Sequence, residues 1–233
     1  MKHMGGRQGV LYLAVLAAAA VFFFRTTYSS GGSIFPLLAF LGLMLLVFLL
    51  SAAGLPKGAQ SEAPQTTPLD AGLTALGLGL LAAGCVLRFG QSALRSLLAT
   101  LGLVSAVCVM AAQVLRLQKK EEKGLLYVPL IVFYMLKLFF DFRGWMNDPA
   151  ISDYCFTLFA SIAFLLSAYH AGAFCYGRGC RRKSAFLALC GVLFGAAAMP
   201  GLELSELLHY GGSALWMLGL CAQAQRPGPE GES

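Results

Sequence analysis

Long runs of apolar residues, interrupted by short polar gaps, recur along the whole chain. They cover about residues 9–25, 34–55, 70–87, 95–116, 124–142, 150–175, 184–200 and 204–222. Most lie near the ~20 residues a helix needs to cross ~30 Å of hydrocarbon at ~1.5 Å per residue. The pattern predicts an all-α, polytopic transmembrane helix bundle of about eight spans. The first, third and seventh runs are the shortest, so seven spans is the alternative count. Punctuation agrees with the cuts. Pro56 follows the second run, Pro68 and Asp70 open the third, and Asp148-Pro149 reads as an N-cap followed by proline at the first helical position. Only the stretch 56–68 reads as a linker, so residues 1–233 are expected to form a single integral membrane domain.

Polar positions inside the runs are unevenly shared. The second run has no polar side chain from Ile34 to Leu50 and reads as lipid-facing scaffold. The third (Gly72, Gly77, Gly79, Gly84) and seventh (Gly191, Gly195, then Ala196, Ala197, Ala198) present small residues that allow close helix approach. A similarity between residues 37–43 and 97–103 is the kind of match that Leu/Ala/Gly-rich helices produce by chance.

The fifth, sixth and eighth runs differ. At 100° per residue, Tyr127, Tyr134, Lys137 and Asp141 share one face of the fifth helix. On the sixth, Asp153, Thr157, Ala160, Ser167 and Ala171 make a small-or-polar stripe broken by Phe164. On the eighth, Glu206, His209, Tyr210, Ser213 and Trp216 fall together. Lipid is the wrong solvent for such faces, so the three helices are expected to line a common interior. The candidate ligand-binding residues are therefore Tyr134, Lys137, Asp141, Arg143, Asp153, Glu206 and His209. Asp148 reads first as a helix cap, Trp145 as an interfacial anchor, and Glu203 as a residue of the loop before the eighth helix.

Charge sets the orientation. With the N-terminus inside, Lys2, Arg7, Lys57, Arg116, Lys119, Lys120, Lys123, Arg178, Arg181, Arg182, Lys183 and Arg226 fall on the inner side. Arg25, Arg88, Arg95 and Arg143 fall outside, and Lys137 is embedded. This is the positive-inside bias, and it predicts cytoplasmic N- and C-termini with the polar cluster at the external mouth. It also explains the net charge of +6 without nucleic acid, because the cations sit in short alternate loops rather than on one patch.

Composition closes off a soluble fold. The chain is 58% hydrophobic and 12% charged, with a mean hydropathy of +0.73. A soluble domain carries roughly 25% charged residues, and an excess of apolar surface on this scale needs lipid to cover it. Seven cysteines at positions 85, 108, 155, 175, 180, 190 and 221 have no paired spacing and read as reduced thiols. Phe22-Phe23-Phe24-Arg25 is no small-residue cleavage site, so the first run reads as an anchor rather than a signal peptide.

Familiar chemistry does not fit well. Glu206-x-x-His209 has the spacing of a carboxylate–imidazole metal pair, but only one copy exists. His170 and His209 stand about 18 Å apart in depth at ~1.5 Å per residue, too far to share an ion. His170 with Cys175 and Cys180 has loose spacing, and no Walker A, G-x-S-x-G or H-E-x-x-H motif occurs. No cofactor or metal is expected, and the chain leans away from being an enzyme. The reading is a small-molecule-binding membrane protein, a transporter subunit or sensor with an outward-facing polar pocket. Its expected partners are the lipid bilayer, a small-molecule ligand and a partner membrane subunit. The alternatives are a non-catalytic scaffold or assembly protein and, less favoured, an intramembrane enzyme using Glu206 and His209. Short loops and compact helices suit a prokaryotic inner (plasma) membrane.

Overall fold

The computed structural model describes residues 2–29, 34–53, 66–118, 120, 123–145 and 151–225, and for 2–8, 29, 145 and 151–153 the backbone alone. Among these residues there are eight α-helices. They are α1 (Lys2–Ser29), α2 (Phe35–Ala53), α3 (Pro68–Val86), α4 (Ala93–Leu117), α5 (Val128–Trp145), α6 (Ile151–Phe174), α7 (Arg181–Ala198) and α8 (Leu204–Ala224). A short 3-10 turn, Gly124–Tyr127, leads into α5.

Local chemistry accounts for the helix starts. Proline opens α3, where its missing N–H costs nothing, and the backbone N–H of Thr67 donates to Asp70 Oδ2 at 3.1 Å. Ser92 caps α4 by accepting from the Arg95 N–H at 3.2 Å. The turn between α3 and α4 needs a left-handed residue, and Gly90 supplies it at φ +82°. The Asp148-Pro149 cap lies outside the described residues.

Consecutive helices run antiparallel, giving the bundle two ends. The upper end holds the α3–α4 and α7–α8 turns; the lower end holds the α4–α5 connection and the end of α8. Six helices form a ring in the order α3, α4, α5, α6, α7, α8 and back to α3, with α1 and α2 packed outside on α7. At the upper end the Arg25 guanidinium lies 5.0 Å from the rings of both Tyr28 and Phe156, joining α1 to α6.

Among the described residues six helices are long and apolar enough to cross a membrane: Gly9–Tyr28, Phe35–Ala53, Pro68–Val86, Ala93–Leu117, Gly124–Gly144 and Tyr154–Phe174. The other two, α7 and α8, are the most enclosed. From Ala188 to Leu193 every side chain of α7 is buried, and α8 buries Ser213, Trp216, Met217 and Gln223. α7 opens on Arg181-Arg182-Lys183 and α8 carries Glu206, His209, Ser213 and Gln223, which lowers their hydropathy; His209, Ser213 and Gln223 are buried in protein. α2 shows the opposite pattern, exposing Leu38, Leu43, Leu46, Leu49 and Leu50.

Glycine sets the position of α8. A Cβ on Gly77 would stand 2.5 Å from the Trp216 backbone nitrogen, and one on Gly212 would stand 2.5 Å from the Gly77 carbonyl oxygen. Gly84 meets the Ser205 carbonyl at 2.6 Å in the same sense. Two antiparallel helices thus touch backbone to backbone, which only glycine at these positions permits. The glycine stripe on α3 is split: Gly77 and Gly84 make this contact, whereas Gly72 and Gly79 have nothing near them. On α7, Gly191 and Gly195 pack against Phe164, Ala214 and Met217 within the same chain.

Candidate functional site

The close α3–α8 contact carries the first turns of α8 up to the α3–α4 turn and opens a cleft there. It has a volume of about 280 Å³ and is lined by Arg88, Gln91, Leu94, Arg95, Leu98, Phe140, Asp141, Gly144, Glu203, Ser205 and Glu206. Beneath it lies a crevice of about 10 Å³ bounded by Gly84, Cys85, Arg88, Leu98, Ala99, Phe133, Lys137 and His209. Arg88 and Leu98 belong to both, so they form the step between the open cleft and the narrow space below.

Ion pairs organise this region. Arg88 Nη2 donates to Glu206 Oε1 at 2.9 Å, bridging the end of α3 to the first turn of α8. Lys137 is 1% exposed. Its ammonium donates to Asp141 one turn away on the same face of α5, and sits 5.2 Å from the centre of the Tyr210 ring. An embedded lysine costs several kcal/mol unless it is paired; here a carboxylate and an aromatic face receive it. The cation does not snorkel alone to the surface.

Hydroxyl contacts hold the walls together lower down. Tyr134 Oη and Ser213 Oγ are 2.7 Å apart, linking α5 to α8, and Ser213 also donates to the His209 carbonyl at 2.7 Å. Ser161 Oγ lies 3.3 Å from Tyr210 Oη, linking α6 to α8. His209 is 2% exposed and enclosed by the rings of Phe133, Tyr134 and Tyr210 at 5.2–5.9 Å. Its Nε2 has no hydrogen-bond partner. Burying such a nitrogen unpaired costs roughly 1–3 kcal/mol. The crevice beside it is about large enough for one water, which needs ~10–15 Å³.

The sequence-derived candidates therefore divide. Tyr134, Lys137, Asp141, Glu206 and His209 come together around the cleft and the crevice below it. Arg143 stands exposed and does not line the cleft. It follows Asp141 by two residues, and a two-residue step rotates a side chain about 200° around the helix. Asp153 lies on α6, but its side chain falls outside the described residues, as do Asp148 and the side chain of Trp145. Glu203, read as a loop residue, is the N-cap residue of α8 and lines the cleft.

Other participants carry no local signal. Arg88 and Gln91 come from the α3–α4 turn and Arg95 from the first turn of α4, next to the third helix, which reads from the pattern as a packing element. Ser161 lies off the stripe expected on α6, yet it is the residue that reaches Tyr210. An odd arginine in a short turn was the one available clue to Arg88.

A second polar group lies at the lower end. Arg116 Nη1 donates to Gln223 Oε1 at 3.0 Å, and Gln223 Nε2 donates to Gln113 Oε1 at 3.3 Å, joining α4 to α8. His170 is also in the lower part, half-buried beside Tyr169. Among the described residues, no three His, Cys, Asp or Glu side chains gather in a way that could hold a metal ion. Comparison with protein-family models, with curated proteins and with solved structures finds no match for this chain.

Proposed function

We propose that all eight α-helices cross the membrane with both termini cytoplasmic, and that the upper cleft is an outward-facing site for a small polar molecule. The arginines and lysines support the orientation, because the cation-rich segments lie at the lower end of the bundle. One observation carries the binding reading. A charged cleft narrows onto a crevice walled by Lys137 and His209, and the buried His209 Nε2 has no partner there. A buried nitrogen that no protein group pairs is a donor or acceptor available to a ligand group or to a water.

Transport is favoured over sensing by what continues below. His209, Trp216 and Gln223 recur every seven residues on α8, a spacing that keeps side chains on nearly one face. Trp216 Nε1, Thr74 Oγ1 and Gln113 Nε2 are buried without hydrogen-bond partners, so polar groups extend from the crevice to the lower Gln113–Gln223–Arg116 group. In this reading Lys137 supplies charge to an anionic group, Asp141 orients it, and His209 binds or relays a proton. Gly191 and Gly195, which could have offered a scaffold a surface for close association, pack inside the chain.

The test is uptake of labelled low-molecular-weight metabolites into proteoliposomes by the native chain and by Lys137→Met and His209→Ala. Loss of uptake in either variant, with normal expression and a monodisperse elution profile, is the expected result. Unchanged uptake in both sinks the proposal. Orientation is checked separately: a membrane-impermeant maleimide should label Gln91→Cys in intact cells above the native cysteine background, and labelling only after permeabilisation overturns it.

A further inference from the structure

Resting on the cleft as the ligand site, we infer that its ligand is a zwitterion of the amino-acid class, carrying one carboxylate and one ammonium group on a short apolar body. The argument is charge bookkeeping among the lining residues. Five ionised side chains border the cleft: Arg88 and Arg95 on the α3–α4 side, Asp141 on α5, and Glu203 and Glu206 at the start of α8. Two pairs close internally. Arg88 holds Glu206 at 2.9 Å, and Asp141 accepts from Lys137.

One cation and one anion are left. Arg95 Nη1 donates to the neutral Gln91 Oε1 at 2.7 Å, and among the described residues neither Arg95 nor Glu203 has an ion-pair partner. They stand on different walls, Arg95 in the first turn of α4 and Glu203 at the N-cap of α8. A simple cation would leave Arg95 unmatched in the cleft, and a simple anion would leave Glu203 unmatched. A molecule with both charges satisfies both walls, and charge-assisted hydrogen bonds to each are the strong kind. Arginine suits a carboxylate because its planar fork can bind both oxygens.

Size and apolar lining point the same way. A volume of about 280 Å³ falls just under the ~300–1,000 Å³ of drug-sized sites. Leu94, Leu98 and Phe140 offer an apolar patch between the charged groups. The floor of the cleft adds a second, independent sign of a ligand: the unpartnered Nε2 of the buried His209 borders the crevice that shares Arg88 and Leu98 with the cleft. The inference assigns the free charges of Arg95 and Glu203 to recognition at the cleft and the Arg88–Glu206 pair to the frame, and leaves the Lys137–Asp141 pair its role at the floor below.

The experiment uses the full chain in lipid nanodiscs and calorimetric titration with the twenty standard α-amino acids. Each amino acid that binds is compared with its decarboxylated amine and its deaminated acid; for leucine these are 3-methylbutylamine and 4-methylpentanoate. The expected result is at least one amino acid bound tenfold or more tightly than both analogues. Arg95→Gln should erase the advantage over the amine, Glu203→Gln should erase the advantage over the acid, and Arg95→Lys should retain much of the first. Both residues are exposed, so the variants should elute as the native protein does. Equal binding of an amine or an acid alone, still sensitive to Arg95→Gln or Glu203→Gln, overturns the zwitterion and leaves the cleft standing. Amino-acid binding indifferent to both variants overturns the cleft as the site. Binding of no amino acid overturns the zwitterion, while the Lys137 and His209 variants judge the cleft by uptake.

Discussion

Arg88 and Glu206, 118 positions apart in the chain, meet at 2.9 Å and tie the end of α3 to the first turn of α8. The pair sits at the step between the open cleft and the crevice, above the glycine contact that brings the two helices together. Its side chains keep 15% and 34% of their exposure, so water and salt reach it. A double-mutant cycle on Arg88→Gln and Glu206→Gln should give a coupling of about 0.2–1 kcal/mol. That coupling should shrink when unfolding is measured at ~1 M salt, where the screening length falls to ~3 Å. A coupling well above this range, unmoved by salt, contradicts the picture of a wet pair.

The Lys137–Asp141 pair should respond unequally to losing either partner. Lys137 is 1% exposed at its side chain and Asp141 22%. Asp141→Ala leaves a buried ammonium with only the Tyr210 face and should cost about 3–5 kcal/mol. Lys137→Met removes the buried charge itself and leaves a carboxylate that water can reach, so it should cost clearly less. Thermal unfolding of the two variants in the same detergent orders them; the reverse order rejects this account.

Glycine substitutions should separate by location rather than by helix. Gly77→Ala and Gly212→Ala place a carbon 2.5 Å from backbone atoms of the partner helix, and neither backbone can move aside cheaply. Overpacking of this kind costs about 1–3 kcal/mol or more. Gly72→Ala and Gly79→Ala meet nothing within 4 Å. They should be neutral or raise stability by about 0.5–1 kcal/mol, through the better helix propensity of alanine. Melting temperatures of the four variants test this, and equal losses in both pairs would falsify the α3–α8 contact.

The Tyr134–Ser213 bond should contribute modestly. Inter-helix hydrogen bonds in membrane proteins average about 0.6 kcal/mol in double-mutant cycles, because the separated helices find other partners. Tyr134→Phe with Ser213→Ala should give a coupling near that value by unfolding in detergent. Ser213→Ala leaves the buried Tyr134 hydroxyl without this partner, whereas in Tyr134→Phe the Ser213 hydroxyl keeps the His209 carbonyl, so Ser213→Ala alone should cost more than Tyr134→Phe alone. The opposite ranking would argue that the α5 hydroxyl has a second partner.

Hydropathy alone marked the eight helices, seven of them within about four residues and α1 starting seven residues earlier at Lys2, because crossing or lining an apolar layer is decided by runs of ~20 neighbouring residues. It also revealed Lys137 with Asp141, since four residues make one helical turn and the pairing is local. The common face of His209, Tyr210 and Ser213 was legible for the same reason. What no single-helix pattern contains is which faces meet. Arg88 looked like a loop cation and Glu203 like a loop acid until α3 and α8 were placed against each other. That placement follows from Gly77 meeting Gly212 and Gly84 meeting the Ser205 carbonyl, a steric fit between segments more than a hundred residues apart. Arg143 stands apart from the cleft because two residues around a helix turn a side chain away from the face of Asp141. Local periodicity therefore determined the elements and their polar faces. Backbone contact between distant glycines decided where those faces converge.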